Sequence, residues 1–173
     1  CFSRRHAVDD IVNLLTDIDF VFHLAGVNRP QDPDDFDKQN RELTARLCEA
    51  IQKTGRAIPV AFTSSIQAAY DNAYGISKKI AEEALIQLNK AIQSPIYLYR
   101  LPNVFGKWAK PNYNSVVATF CHNIAQDLPI RIDDPSKIVP LIYIDDLLES
   151  FMSMLSNLQY GVFRPVVKPE YSI

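Results

Sequence analysis

The sequence predicts an α/β fold, a parallel sheet with flanking helices. Three observations carry this. Short apolar runs occur at Phe20–Gly26 (FVFHLAG), Ile58–Phe62 (IPVAF) and Ile96–Leu101 (IYLYRL), each of strand length. Residues near 8–16, 35–54 and 72–90 repeat Ala, Ile and Leu at helical spacing. The two kinds of segment alternate, which makes βαβ units whose right-handed crossovers put helices on the faces of the sheet.

In chain order, the first strand closes on Ala25-Gly26, small residues that let a ligand approach the backbone. His23 within it reads as a core histidine with its hydrogen bonds satisfied. Asp32, Asp34, Asp35 and Asp37 surround the start of the 35–54 helix, where carboxylates favour the dipole. Asn40 lies inside that helix, a position asparagine disfavours, and it reads either as a solvent-facing residue or as part of a site. The next strand runs into Thr63-Ser64-Ser65, so Ser65 stands at a carboxyl end, where open α/β sheets bind ligands.

The 72–90 helix opens with Tyr74-Gly-Ile-Ser-Lys78, a Y-x-x-x-K spacing. Positions i and i+4 share a helix face. Lys78 is therefore expected to set its ammonium beside the Tyr74 phenol and to lower the phenol pKa from about 10 toward neutrality. A phenol tuned in this way gives or takes a proton at a reacting alcohol or carbonyl, with Ser65 bonding the same oxygen. Alone, the spacing also fits an exposed amphipathic helix, but its neighbours build a site around it.

After the third strand comes Pro102-Asn103-Val104-Phe105-Gly106, then a segment at 106–115 with Lys107, Trp108, Lys110, Tyr113 and two asparagines. Cations suit a diphosphate and an aromatic ring suits stacking, and the other reading of the segment is a plain surface loop. Arg131 reads either as a phosphate ligand or as an exposed ion-pair partner. Asp145-Asp146 open the last helix as caps. Tyr160–Ile173, with Pro165 and Pro169, reads as an irregular tail or linker.

Composition bounds the function classes. The 173 residues make one domain by length, and 47% of them are apolar. A net charge of −2 gives no electrostatic case for nucleic acid. No apolar run approaches the roughly 18 residues of a membrane span. Cys1, Cys48 and Cys121 are widely spaced and odd in number, against a disulfide framework and in keeping with a reducing cytoplasm. His6 and His122 lack partners at metal-ligand spacing, so no metal is expected.

Taken together, His23-Leu24-Ala25-Gly26, Asn40, Thr63-Ser64-Ser65, Tyr74 with Lys78, Arg100–Gly106 and Tyr143-Ile144-Asp145-Asp146 resemble the extended short-chain dehydrogenase/reductase family in order and spacing. The resemblance implies a Rossmann-like sheet, truncated at its N-terminal βαβ part, plus a small substrate-binding portion. Gly26–Pro30, Ser64–Ala68 and 106–115 add a narrower resemblance, to bacterial capsule and O-antigen enzymes that reduce a 4-keto UDP-amino sugar and carry a cupin domain after the reductase domain.

The resemblance implies catalytic roles for Ser65, Tyr74 and Lys78. It implies cofactor contacts from Leu24, Ala25, Gly26, Asn40, Tyr74, Lys78, Pro102 and Asn103, and substrate contacts from Arg29, Asn103, Lys107, Lys110, Asn114 and Arg131. It implies NADPH as cofactor, with NADH open, a UDP-sugar substrate, and a cytoplasmic homodimer. Ile66-Gln67 stand where dehydratase relatives carry an Asp-Glu pair, which disfavours elimination. Epimerisation at C4 uses the same Ser/Tyr/Lys set and stays open, as does an inactive fragment.

The family's G-x-x-G-x-x-G turn has no counterpart, since Gly26, Gly55, Gly75, Gly106 and Gly161 are far apart. The chain is therefore expected to lack roughly the first 40–60 residues of the usual domain, leaving the strand near 20–24 at an uncovered edge. The expected organisation is 1–105 as the C-terminal part of the cofactor-binding domain, 106–160 as the substrate-binding portion with the final helix, and 161–173 as a tail toward an absent cupin domain.

Overall fold

The computed structural model describes residues 10–28, 30, 32, 34–166 and 171–172. The chain divides into two compact units, Cys1–Arg100 with Leu158–Val166, and Leu101–Asn157 with Val167–Ile173.

The first unit is built on a four-stranded sheet: β1 (Val21–His23), β2 (Val60–Ser65), β3 (Ile96–Leu101) and β6 (Val162–Phe163), in that spatial order. β1 runs parallel to β2, pairing Val21 with Val60 and His23 with Phe62. β3 runs parallel to β6, pairing Ile96 with Val162. Helix α1 (Asp10–Leu14) precedes β1. Between β1 and β2 the chain is helical as α2 (Asp34–Phe36), a π-helical stretch (Asp37–Glu42) and α3 (Leu43–Thr54). α4 (Ala73–Ile92) joins β2 to β3.

Burial explains why these segments order. β2 and β3 are buried almost throughout, as strands covered on both faces must be. Ile51 of α3, Val60 and Phe62 of β2, Leu85 and Leu88 of α4, and Ile96 and Leu98 of β3 form one cluster. Each such side chain contributes about 1.5–3 kcal/mol by leaving water. α3 ends where Gly55 takes a left-handed φ of 67°, the conformation that glycine supplies at least cost.

β1 is the end strand among the described residues, as the sequence suggested for the strand near 20–24. Phe22 and Leu24 are 38% and 59% exposed there. An apolar groove of ≈ 360 Å³ runs beside it, lined by Ile11, Leu15, Phe20, Val21 and Leu47 among others.

The second unit holds a three-stranded sheet in the order β4 (Asn103–Phe105), β5 (Pro140–Tyr143) and β7 (Tyr171–Ser172). β4 and β5 are parallel, and β5 and β7 antiparallel. The rings of Tyr143 and Tyr171 lie 5.4 and 5.5 Å from that of Phe105. Helix α5 (Val116–Ala125) starts at Ser115, whose hydroxyl accepts from Ala118 N–H at 3.2 Å. Helix α6 (Ile144–Ser156) buries Leu147, Phe151 and Met154 on one face.

Three expectations need correction. Tyr160–Ile173 is not wholly irregular, because β6 extends the first sheet and β7 the second. Tyr97 secures the approach to β6, its hydroxyl donating to the Gln159 carbonyl at 3.1 Å and accepting from Gln159 N–H at 2.6 Å. Asp145 and Asp146 stand in the first turn of α6 without capping it, since Tyr143 is the N-cap residue and no side chain caps the helix there. Asp145 is instead paired with Lys107 at 2.9 Å. Finally, the 35–54 helix carries a π-helical turn near its N-terminal end, at Asp37–Glu42, rather than α-helix throughout.

Candidate active site

The carboxyl end of β2 and the first turns of α4 set the site. Ser65 is the last residue of β2, and its hydroxyl accepts from Gln67 N–H at 3.1 Å, capping a 3₁₀ turn (Ile66–Ala69). α4 begins after Asn72, whose side-chain oxygen accepts from Gly75 N–H at 2.9 Å. A Cβ at Gly75 would collide with the carbonyl oxygens of Gln67 and Tyr70. Only glycine lets the helix start this close to the turn, and that closeness brings Tyr74 to Ser65.

Burial holds the Tyr74 phenol above its ordinary pKa, and the Ser65 hydroxyl beside it, as a hydrogen-bonding neighbour, draws it back in part. The Y-x-x-x-K spacing alone implies that Lys78 lowers this pKa toward neutrality. The geometry shows why burial dominates instead. The Lys78 ammonium donates to the Thr63 carbonyl at 2.9 Å and stands 6.0 Å from the centre of the Tyr74 ring. Lys78 is itself buried, and desolvation brings its pKa down to about 8, partly opposed by the negative charge of Glu82. At neutral pH the site therefore holds a protonated phenol beside a lysine that is mostly charged.

Asn40 is buried, which settles its two readings in favour of the interior. Its side chain accepts from Val27 N–H at 2.8 Å, donates to the Val27 carbonyl at 2.9 Å and donates to the Ser77 hydroxyl at 3.0 Å. It thereby fastens the loop after β1 to α4. The π-helical turn is where this inward side chain sits, and such turns recur at functional sites. Gly26 was read as making room for a ligand. A Cβ there would stand 2.8 Å from Asn40 Oδ1 and 3.1 Å from Lys78 Nζ, so the glycine first makes room for those two side chains. Leu24 and Ala25 follow β1 and are exposed. His23 is a satisfied core residue, its Nε2 2.8 Å from Thr44 Oγ1, with burial holding its pKa down to about 3.

Ser65, Tyr74, Lys78, Asn40 and Gly26 thus come together in the first unit. Leu24 and Ala25 lie in the same unit, Arg29 lies outside the described residues, and Pro102, Asn103, Lys107, Lys110, Asn114 and Arg131 belong to the second unit. Pro102 is buried and Asn103 is exposed at the start of β4. Lys107 is paired with Asp145, and Arg131 with Asp133 at 2.6 Å. Lys110 and Asn114 are exposed, and among the described residues Lys110 makes no ion pair. Sequence reasoning missed Gly75, Ser77 and Glu82. The Y-x-x-x-K spacing brackets the first two, and Glu82 continues the same helix face one turn beyond Lys78.

The groups around Lys78 fit the nicotinamide–ribose end of a dinucleotide. They offer a hydroxyl pair, a cation and a strand end whose Leu24–Gly26 residues are exposed. These 173 residues hold no glycine-rich turn for a pyrophosphate.

A serine at the end of a parallel strand, bonded to a tyrosine that leads a lysine by one helical turn, defines a short-chain dehydrogenase/reductase type of site. The chain belongs to the NAD dependent epimerase/dehydratase family, whose sequence model matches residues 2–164. It is 51% identical over 172 residues to a UDP-2-acetamido-2,6-beta-L-arabino-hexul-4-ose reductase of Pseudomonas aeruginosa, covering 99% of this chain and 46% of the relative. Its structure superposes on that of the capsular polysaccharide assembling protein CapF of Staphylococcus aureus with a TM-score of 0.78 at 33% identity, over 98% of this chain and 46% of that one. The UDP-glucuronic acid 4-epimerase of Bacillus cereus, solved with UDP-glucuronic acid and NAD, shares the fold with a TM-score of 0.84 at 20% identity, over 98% of this chain and 60% of that one. The chain therefore spans about half the length of the curated relative it matches.

Proposed function

We propose that the protein reduces the 4-keto group of a UDP-activated 2-acetamido-2,6-dideoxy sugar, with NADPH as reductant, in capsule or O-antigen polysaccharide synthesis. The observation that carries this reading is the Tyr74–Ser65 hydrogen bond with Lys78 buried one turn further along α4. The 51% identity to a UDP-sugar 4-keto reductase supports the choice of substrate class, and the likeness to a capsular polysaccharide assembling protein supports the setting.

The bound nicotinamide supplies the hydride. Ser65 orients the C4 carbonyl oxygen by hydrogen bonding. The Tyr74 hydroxyl donates its proton to the oxygen as negative charge develops there. Burial suits that role, because a phenol held above its ordinary pKa is fully protonated at neutral pH. Lys78 places a positive charge beside the phenolate that remains. Asn40 keeps the Val27 loop against α4, so the site keeps its shape through the proton transfer.

The test is consumption of NADPH by the full-length protein with a 4-keto UDP-sugar. Tyr74→Phe keeps the ring and removes the donor, and should lower kcat by about 10²–10⁴-fold. Near-normal turnover in that variant would assign the proton to another group.

A further inference from the structure

Glu82 is 2% exposed in a helix whose other buried face residues are chiefly apolar or small. Carboxylates are almost never buried to this degree without partners. Glu82 has three elements around it. On α4 it lies one turn beyond Lys78, on the same face. From β2, the Ser64 hydroxyl donates to its Oε1. From β3, Arg100 donates through Nε to Oε1 at 2.9 Å and through Nη2 to Oε2 at 2.6 Å. This two-pronged contact fixes the orientation of the carboxylate.

None of these bonds belongs to the reaction described above. The network nonetheless ends on both sides of it. Ser64 precedes Ser65 in the strand, and Lys78 precedes Glu82 by one turn. We infer that Glu82 is a positioning residue of this site, keeping the Lys78 ammonium charged and the Ser64–Ser65 end of β2 in place, while Arg100 holds the carboxylate itself. The inference rests on the role given to Lys78 under the proposed function.

Groups from four elements face Lys78. From α4 these groups are Tyr74, a protonated phenol, and Glu82. From β1 the group is His23, held neutral with its pKa near 3 by burial. From β2 they are the Thr63 carbonyl and the Phe62 ring, the latter 4.7 Å from Nζ, and from the π-helical turn the neutral Asn40. Arg100, from β3, acts on Glu82, and its side chain is 37% exposed, so water screens much of its charge. Glu82 is thus the ionised group of opposite sign among those named. It resists the desolvation that already holds Lys78 near pKa 8. Without it, Lys78 would lose its proton at lower pH, and the phenolate left by Tyr74 would lose its counter-charge.

The experiment reads Lys78 itself, in the full-length protein carrying ¹³C-labelled lysine, with its signal assigned by its loss in Lys78→Arg. The variants are Glu82→Gln, Glu82→Asp, and Glu82→Gln with Arg100→Met, which removes both charges so that neither partner is left buried and alone. In Glu82→Gln and in the double variant the Lys78 titration midpoint should fall by about one pH unit or more. The alkaline limb of kcat, lost as Lys78 deprotonates, should move down by the same amount. Glu82→Asp should restore most of the midpoint. A double variant that melts cooperatively with an unshifted Lys78 midpoint would overturn the inference and leave Glu82 a purely structural residue. A shifted midpoint in a protein that reduces no 4-keto UDP-sugar would instead overturn the proposed function and leave the coupling of Glu82 to Lys78 standing.

Discussion

Tyr74 and His23 show how burial decides protonation at single residues. The sequence made the Tyr74–Lys78 spacing legible, along with the serine that faces it. It did not reveal the direction of the phenol's shift, because desolvation depends on what packs around a group rather than on which residues neighbour it in sequence. His23 carries the same effect into stability. Its pKa in the fold is about 3 against an ordinary 6.5. The unfolded chain therefore binds a proton that the fold refuses, and stability contributed by the neutral ring falls as pH drops from 6.5 toward 3. The slope is about 1.4 kcal/mol per pH unit within that window. Denaturant melts at pH 7 and pH 5 should differ by about 1–2 kcal/mol more in the wild type than in His23→Gln. Equal differences would show that other groups govern acid sensitivity. A second expectation at this scale concerns Lys110. Lys107 and Arg131 are already neutralised by Asp145 and Asp133, which leaves Lys110 the better cation for a diphosphate. Lys110→Ala should raise KM for the UDP-sugar severalfold and leave KM for NADPH nearly unchanged, measured by initial rates with each reactant varied in turn. The reverse pattern would assign Lys110 to the cofactor.

At the scale of elements, the junction of β2 and α4 was read from sequence almost to its ends. β2 begins two residues later than its apolar run and extends through Ser65, and α4 spans Ala73–Ile92 against an expected 72–90. The reason is that long, strongly periodic segments carry their own signal. β4, β6 and β7 are two or three residues long and depend on pairing with distant strands, so no local pattern announces them. α5 buries no residue and is apolar on more than one side, which blurs its periodicity. The π-helical turn was equally invisible, since the inward rotation of Asn40 is fixed by its bonds to Val27 and Ser77. Gly75 is the element-scale residue to test. Gly75→Ala would drive a methyl group into the Gln67 and Tyr70 carbonyls, displacing the start of α4 from the turn after β2. Overpacking of this kind costs about 1–3 kcal/mol. The same shift parts Tyr74 from Ser65, so kcat should fall by at least tenfold while a circular-dichroism melt still shows a cooperative transition. Unchanged kcat with lowered stability would separate helix placement from catalysis.

At the scale of the whole molecule, the parallel sheet with flanking helices was foreseeable from the alternation of apolar runs and helical stretches. The division into two compact units was not legible in that form, because the second unit draws on residues far apart in sequence, Leu101–Asn157 with Val167–Ile173. The chemistry proposed for the protein rests on the first unit, where Ser65, Tyr74, Lys78 and Asn40 meet on β2, α4 and the π-helical turn. That arrangement would serve a reductase or a 4-epimerase. The separating measurement is isotopic. The full-length protein is supplied with the 4-keto UDP-sugar and NADPH deuterated at the transferring position, and the product is analysed by mass spectrometry and NMR. One deuterium at C4 is expected in a product formed one-for-one with oxidised cofactor, and its loss in Tyr74→Phe. A sugar product carrying no deuterium, formed without net cofactor oxidation, would contradict the proposed reduction.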